Sequence, residues 1–503
     1  MNYLYDAVII GGGVVGNAIA RELSRFEIKT AVLEKEPDVG METSCRNSGV
    51  LHSGINYKPG TLRALLSVRG NAMMDKICAE LKVKIRRLGK LTVALDKEET
   101  AGIERLLSQG KANMVPGLEV LDSGAMKKIQ PGIEGVAALW SPTSAVISPY
   151  ALTIALAENA HANGTDYFLN SEVSEIVAEK GMDAPFFIVK TKSGDIFTAK
   201  VLINSAGLSS GKISAMAGVN AANNGESLKI YPCRGEYYVL DKRLEGTLNT
   251  LIYPVPGAKD AGLGIHLTPT VDGNILIGPS ASYIDEDTPE SYKVTSSVLE
   301  ELRREGQKLL PEIKMSDFIR NFAGNRPKRT PPSVGGNADF VIEEAKDLHG
   351  FINLVGIESP GLTAAAAIAE MVRDLTDAII PLKEKCGFIA ERDGHAEHFC
   401  ELPIEEQQRL IAKYPEYGEI ICRCEKITKK EIRDAIENSL GAKSLVSIKY
   451  RARNGMGRCQ GGFCTPRIVR MLRDEYGFRP QDYTLREAGS SLFCGKVHGE
   501  DCR

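Results

Sequence analysis

Four cysteines near the end of this 503-residue chain have the types and spacing to bind metal. They read Cys422-Arg423-Cys424 and, after 34 intervening residues, Cys459-Gln460-Gly461-Gly462-Phe463-Cys464. Two close pairs, one from each end of a short helical unit, form a tetrathiolate site when folding joins them. The second pair lies in the glycine-rich run Gly455 to Gly462, where glycines let backbone N–H groups approach sulfur, as around an iron–sulfur cluster. Structural zinc is the competing reading, because four-cysteine sites also hold zinc. The Cys-x-Cys spacing and the glycine loop favour iron–sulfur, through which electrons leave one at a time. Cys386, His395, His398 and Cys400 are scattered over a charged stretch and do not read as a metal site. Cys45, Cys78 and Cys233 read as small packing residues, and Cys494 and Cys502 carry no recognisable spacing.

A second set of residues binds nucleotide. The apolar run Ala7 to Ile10 reads as a buried parallel strand and meets Gly11-Gly12-Gly13-Val14-Val15-Gly16. An amphipathic helix follows, with Val15, Ile19, Leu23 and Phe26 on one stripe, then a strand Thr30 to Leu33 that ends in Glu34. Gly11 permits the tight turn, Gly13 lets a pyrophosphate approach the backbone, and Gly16 lets helix and strand pack closely. The helix N-terminus favours phosphate charge, and Glu34 accepts from ribose hydroxyls. No second fingerprint of this type follows, which predicts one tightly bound dinucleotide.

Several segments resemble known families. Glu42 to Gly54, Asn204-Ser205-Ala206-Gly207 and Gly356 to Thr363 resemble the flavin-contacting segments of the D-amino-acid oxidase-like FAD superfamily, over about residues 4 to 380. That resemblance implies FAD held by Gly11, Gly13, Gly16, Glu34, Lys35, Thr43, Ser44, Arg46, Asn47, Ser48, Gly49, Val173, Ala206, Gly207, Gly356, Gly361, Leu362 and Thr363. The amides that open the alanine-rich helix after Gly361 would stabilise negative charge on the reduced flavin. Ile421 to Glu425 and Arg453 to Cys464 resemble the [2Fe–2S] domain of bacterioferritin-associated ferredoxin, which implies Cys422, Cys424, Cys459 and Cys464 as ligands. The whole layout resembles the catalytic subunits of anaerobic glycerol-3-phosphate dehydrogenases. Arg46 to His52, Asn56 to Gly60, Arg234 to Tyr238 and Gly264 to Thr268 also resemble L-2-hydroxyglutarate dehydrogenases.

Oxidation of an alcohol at a flavin needs a base for the hydroxyl proton and a cation for the anionic end of the substrate. Gly324-Asn325-Arg326-Pro327 resembles the family motif whose arginine holds that anion, with Asn325 where the family usually has an apolar residue. Arg234 is a second candidate clamp. His52 and His266 are the candidate bases, and the sequence does not choose between them. Tyr57 and Lys58 are candidates for the anion pocket. The expected function is oxidation of a secondary alcohol on a small anion, glycerol-3-phosphate first and L-2-hydroxyglutarate second, with electrons passing from FAD through the cluster to a protein subunit or a quinone-linked partner. An electron-transfer flavoprotein with no substrate of its own is the alternative of another class.

The elements that must position these groups follow. The fold class is α/β: a discontinuous Rossmann-like FAD domain (residues 1–85, 150–215 and 335–380), an antiparallel-sheet substrate domain (86–149 and 216–334), a polar linker (381–418), a small helical [2Fe–2S] domain (419–473) and a tail (474–503). A helix is predicted over Tyr150 to Ala162. Strands are predicted at Phe186 to Val189, Phe197 to Ile203, Glu236 to Leu240, Gly264 to Leu267 and Ile275 to Ile277. Hydrophobic content of 43% and charged content of 25% are ordinary for a globular protein, and a formal charge of −3 argues against bulk nucleic-acid binding. Eleven cysteines, four of them in a metal pattern, point to a reducing, cytoplasmic compartment. No leader reads at the N-terminus and no apolar run approaches the roughly 20 residues that span a bilayer, so membrane contact is expected only through a partner. From Lys443 to Arg473 there are eight basic residues and no acidic one, which suits offsetting cluster charge, a solvated helix, or docking to an acidic partner.

Overall fold

The computed structural model describes residues 1–180, 185–256, 264–487, 489–493 and 495, so Cys494 and Cys502 lie outside the described residues. Two sheets organise the chain. In the first, eight-stranded sheet, Asn2–Ile10 lies between Thr30–Leu33 and Ile196–Asn204, all parallel, with Asp166–Phe168 outside Thr30–Leu33. Phe351–Val355 extends the parallel set from Ile196–Asn204, which also pairs antiparallel with Pro185–Thr191, and that strand pairs antiparallel with Val173–Lys180 at the edge. The inner strands are apolar on both faces because both are covered, as parallel sheets require. Helices Val14–Leu23, Leu62–Leu81, Pro149–Ala162 and Gly361–Ile379 cover one face through Ile19, Leu23, Met74, Leu152, Leu156 and Ile368. The first helix stops at Leu23, and Phe26 lies beyond it in a bridge to Glu384. Ser148 caps the third helix, accepting from the Ala151 amide at 3.3 Å, and Pro149 holds the first helical position, where its missing N–H costs nothing.

The second, nine-stranded sheet begins with Ser282–Tyr283, Tyr231–Leu240, Ile275–Gly278, His266–Pro269 and Leu251–Pro254. It continues through Lys90–Ala94, Ala137–Ser141 and Glu119–Asp122, while Phe318–Lys328 pairs with Tyr231–Leu240. It is antiparallel except where Leu251–Pro254 runs parallel to Lys90–Ala94. The strand predicted from Gly264 begins at His266.

A third unit is a two-stranded ribbon, Ile420–Cys422 with Ile427–Thr428, and helices Lys429–Ile436, Leu445–Ala452 and Thr465–Tyr476 around Ile432, Ile448, Ile468 and Leu472. Thr428 and Glu431 form a reciprocal capping box at its first helix, a feature worth about 1 kcal/mol. The unit is docked through the stacked rings of Tyr150 and Tyr450, 5.1 Å apart, and through buried arginines. Arg451 pairs with Asp38 and Glu158. Arg453 donates to Asp272 at 2.5 Å, Glu425 at 2.9 Å and Asn274 at 3.0 Å. Two of the eight basic residues are thus internal ion-pair partners rather than a solvated face.

The segment read as a polar linker is pinned and partly helical. The Ile389 carbonyl accepts from Asn159 at 3.0 Å and Asn163 at 2.9 Å, Phe388 lies under Arg25, and a helix forms at Ile404–Lys413. Its polar residues serve as partners for buried groups of the first domain, so polarity here does not mark a free tether.

Candidate active site

The glycine turn, the loops after the parallel strands and one edge of the second sheet enclose a cavity of about 1160 Å³. Gly11 (φ +104°) makes the turn at the first strand, and a Cβ there would lie 2.7 Å from the Ser205 carbonyl. A Cβ on Gly16 would lie 2.0 Å from the Gly11 carbonyl, so helix and strand meet only because this residue is glycine. Glu34 is buried; it accepts from the Gly12 amide at 2.7 Å and the Glu36 amide at 2.9 Å, and burial pushes its pKa up to about 7. Lys35 lines the cavity among Glu36, Glu42 and Glu290. The Ser44 hydroxyl accepts from the Val14 amide at 2.9 Å, Thr43 donates to the Asn325 carbonyl at 2.7 Å, and Asn47 folds back on the Thr43 and Ser44 carbonyls. Arg46, Ser48, Val173, Ala206, Gly207, Gly361 and Leu362 complete this wall, with the start of helix Gly361–Ile379 turned to the cavity. The opened backbone, the buried acid and the helix N-terminus fit a dinucleotide flavin.

Three residues of the predicted set act from behind the wall. Gly49 (φ +68°) would place a Cβ 2.2 Å from the Ile147 carbonyl, and Gly356 (φ +74°) lies against Arg329. The Thr363 hydroxyl accepts from the His52 amide at 2.9 Å and so fixes the candidate base to the helix.

At the other end of the cavity the structure brings together His52, His266, Arg326, Tyr57, Tyr237 and Tyr253. His266 stacks on Tyr253 at 3.7 Å. Its Nδ1 lies 2.8 Å from the Gly264 carbonyl, which can only accept, so Nδ1 carries the hydrogen and Nε2 keeps its lone pair. That Nε2 is buried and has no partner among the described residues, and the same holds for His52 Nδ1. Burial pushes both histidines down to about 3, and the positive charge of Lys90 adds to it. Both are therefore neutral and able to accept a proton. Arg326 donates from Nη2 to the Ser280 carbonyl at 2.7 Å, which leaves Nη1 without a protein partner among the described residues. Arg234 is not brought to the cavity. It pairs with fully buried Glu236 at 3.2 Å and donates to Thr295 at 3.1 Å. Lys58 is exposed and outside the cavity wall.

Sequence reasoning missed three features. Lys90 is 1% exposed, sits 4.9 Å over the Tyr253 ring and has no carboxylate partner among the described residues; burial brings its pKa down to about 7. A strap, residues 287–293, lines the cavity, its Glu290 paired with Lys35. Asn325 Nδ2 holds it through the carbonyls of Pro289 at 2.7 Å and Ser291 at 3.2 Å, which accounts for a polar residue at this buried position. Finally, Arg486 in the tail reaches the Met41 carbonyl, Glu42 and the Tyr292 ring, tying the C-terminal segment to the flavin loop and the strap.

The four cysteines lie together in the third unit. Their side chains meet two by two, Cys464 on Cys422 and Cys424 on Cys459. Among the described residues no three His, Cys, Asp or Glu side chains converge as around one ion. Cys422 is held below the ordinary thiol value, to about 6, first by the hydrogen bond from Cys464 and then by the amides of Gly455 and Glu425. Cys459 is lowered by the amides of Phe463 and Gly461. A Cβ on Gly457 would lie 2.4 Å from Cys424 Cβ, so the loop must be bare there. Amide donors aimed at paired sulfurs fit an iron–sulfur cluster. In the linker, His395 faces Glu406 and His398 faces Glu431, apart from Cys386.

Comparisons with known proteins agree with this geometry. Residues 6–375 match the family model described as FAD dependent oxidoreductase, and residues 420–474 match the BFD-like [2Fe-2S] binding domain. The chain belongs to the FAD-dependent oxidoreductase family and carries a C-terminal [2Fe–2S] domain; its cofactors are FAD and a [2Fe–2S] cluster. It is an FAD-dependent dehydrogenase of the glycerol-3-phosphate dehydrogenase-like kind: it is 39% identical to a glycerol 3-phosphate dehydrogenase of Caloramator mitchellensis, over 99% of this chain and 100% of that one. It is also 31% identical to human mitochondrial L-2-hydroxyglutarate dehydrogenase, over 74% of this chain and 88% of that one. The structure of L-alpha-glycerophosphate oxidase from Mycoplasma pneumoniae with FAD bound superposes with a TM-score of 0.70 at 29% identity, covering 77% of this chain and 98% of that chain. No helix among the described residues is long and apolar enough to cross a membrane.

Proposed function

We propose that this enzyme oxidises glycerol-3-phosphate to dihydroxyacetone phosphate and passes the electrons on to a protein partner. FAD supplies the hydride acceptor and the cluster supplies a one-electron outlet. Arg326 binds the phosphate through the fork it turns to the cavity. One of the two neutral histidines, His52 or His266, takes the hydroxyl proton on its unpartnered ring nitrogen. Tyr253 and Tyr237 exclude water beside it.

The observation that carries the choice of substrate is the state of Arg234. Glycerol-3-phosphate has one anionic group, a phosphoester one carbon from its carbinol, and needs one clamp. L-2-hydroxyglutarate has a carboxylate at each end and suits two. With Arg234 held by Glu236 and Thr295, one clamp faces the cavity from this sheet. The likeness to L-2-hydroxyglutarate dehydrogenases supports a second reading, in which Arg63, buried at the cavity wall, takes the second carboxylate. Arg63 is already engaged by Glu358 and the Ala338 carbonyl, which favours the first reading. A role as electron-transfer component alone is disfavoured by a cavity that gathers a base and an anion clamp. The reducing chemistry of the cysteines supports a cytoplasmic setting, with membrane contact through a partner.

The test compares kcat/KM for both substrates on one preparation with an artificial dye as acceptor. Preference for glycerol-3-phosphate, lost with Arg326→Ala, supports the proposal. Preference for L-2-hydroxyglutarate, lost with Arg63→Ala or Arg234→Ala, overturns it.

A further inference from the structure

The cysteine set is asymmetric. Cys422 and Cys464 are 1% and 0% exposed, whereas Cys424 and Cys459 are exposed. Electron exchange falls off steeply with distance, so a partner collects electrons at the outer pair. Its surroundings are specific. The Phe463 amide donates to the Cys459 sulfur, which places Phe463 next to the outer pair. The ring lies between two guanidiniums, Arg423 at 4.3 Å and Arg467 at 4.6 Å. Arg423 and Lys426 are exposed, and the Arg458 side chain is 60% exposed. Arg320, from the second sheet, is exposed and reaches Gln460 next to Cys459 at 2.8 Å. The neighbouring carboxylates turn inward: Glu425 serves Lys242 and Arg453, Asp317 serves Arg243, and Asp241 holds Arg458. Glu419 is exposed at the rim, next to the Ile420 carbonyl that Arg467 binds.

We propose that this surface docks a one-electron carrier protein with an acidic face, its centre on Phe463 and its contact with the cluster through the Cys424–Cys459 edge. The proposal rests on the reading that the cluster takes electrons from the flavin. An aromatic ring set among arginines is the composition of an interface centre, and the ring of positive charge steers an acidic partner. Arg451 and Arg453 contribute nothing to it, because their charges are spent inside the protein. The electron count closes: one secondary alcohol becomes one ketone with release of two electrons and two protons. Two oxidised carriers leave reduced by one electron each, and the protons pass to solvent.

The experiment titrates the FAD- and cluster-loaded enzyme calorimetrically with an acidic plant-type ferredoxin, with basic cytochrome c, and with anionic phospholipid vesicles, at low and high salt. The ferredoxin should bind, and its Kd should rise about tenfold or more at high salt. Phe463→Ala, Arg467→Glu and Arg423→Glu should each weaken it about tenfold, with FAD and cluster absorbance unchanged as proof of folding. Tighter binding to cytochrome c, preferential binding to vesicles, or ferredoxin affinity indifferent to all three substitutions would overturn the proposal. Rapid mixing of the same preparations with substrate, following cluster reduction, tests the underlying reading separately. A cluster that stays oxidised defeats that reading, whereas a cluster that is reduced in a protein that does not bind ferredoxin defeats the docking surface alone.

Discussion

The flavin cavity and the cluster unit solve opposite problems with similar residue types. The cavity collects groups from both sheets, residues 10 to 362 of the chain, and hides them. Its histidines are neutral, Lys90 is buried nearby without a carboxylate partner among the described residues, and residues 287–293 line one side. The cluster unit draws its four cysteines from 43 residues, Cys422 through Cys464, and leaves two of them at the surface. Arginines show the contrast. Arg326 in the cavity is oriented by carbonyls and keeps a donor for a ligand, whereas Arg451 and Arg453 at the junction are consumed by carboxylates. Substrate chemistry needs a dry, preorganised enclosure, and electron export needs an edge.

The largest effect that would separate the two regions comes from Cys459→Ser. Cluster assembly and transfer to any protein acceptor should be abolished, while FAD content and single-turnover reduction of the flavin by substrate remain. Loss of flavin reduction in this variant, measured anaerobically by rapid mixing, would show that the regions are not independent. Next is Arg326→Ala, which should raise KM for the anionic substrate and cost about 2–5 kcal/mol in kcat/KM, with the cluster spectrum unchanged. His52→Ala and His266→Ala should lower kcat instead, and steady-state kinetics on both identifies the base; if neither changes kcat, the site lacks the base assigned to it.

Smaller effects concern pH. A histidine held at about 3 stays neutral in the folded chain, while the unfolded chain takes up a proton below its ordinary value of 6.5. The pair therefore favours unfolding progressively as pH falls from 6.5 towards 3, a loss that denaturant titration at stepped pH should show and that His266→Gln should reduce. Lys90→Met removes a positive charge that, with Arg63 and Arg326, disfavours histidine protonation. The acid limb of kcat/KM should move to higher pH, whereas Lys90→Arg should leave it in place; an unmoved limb in a folded, FAD-loaded Lys90→Met protein would show that its charge does not reach the histidines.

Much of both regions was legible in the sequence, for different reasons. The glycine turn, its flanking strands and the four cysteines were readable because local spacing encodes them. Arg326 and the two histidines were readable as candidates through resemblance, but their convergence is a long-range property. Arg234 illustrates a signal that was present and unused: Glu236 lies two residues along the same strand, hence on the same face, and occupies it. Lys90 opens a strand and reads as a surface lysine; its burial follows from strands far away in sequence, Leu251–Pro254 and Ala137–Ser141, that flank it. The pinning of the linker was not legible because it is made by backbone carbonyls, Ile389 and Ala390, that answer the buried side chains of Asn159, Asn163 and Arg21, more than two hundred residues earlier.

The central claim is that substrate chemistry belongs to the flavin cavity and export to the cluster edge, in series. Anaerobic rapid mixing of the wild-type enzyme with glycerol-3-phosphate, following flavin and cluster absorbance separately, tests it most directly. Flavin reduction first, with cluster reduction following at a rate independent of substrate concentration, is the predicted result. A flavin that stays oxidised, or a cluster reduced ahead of it, would contradict the account.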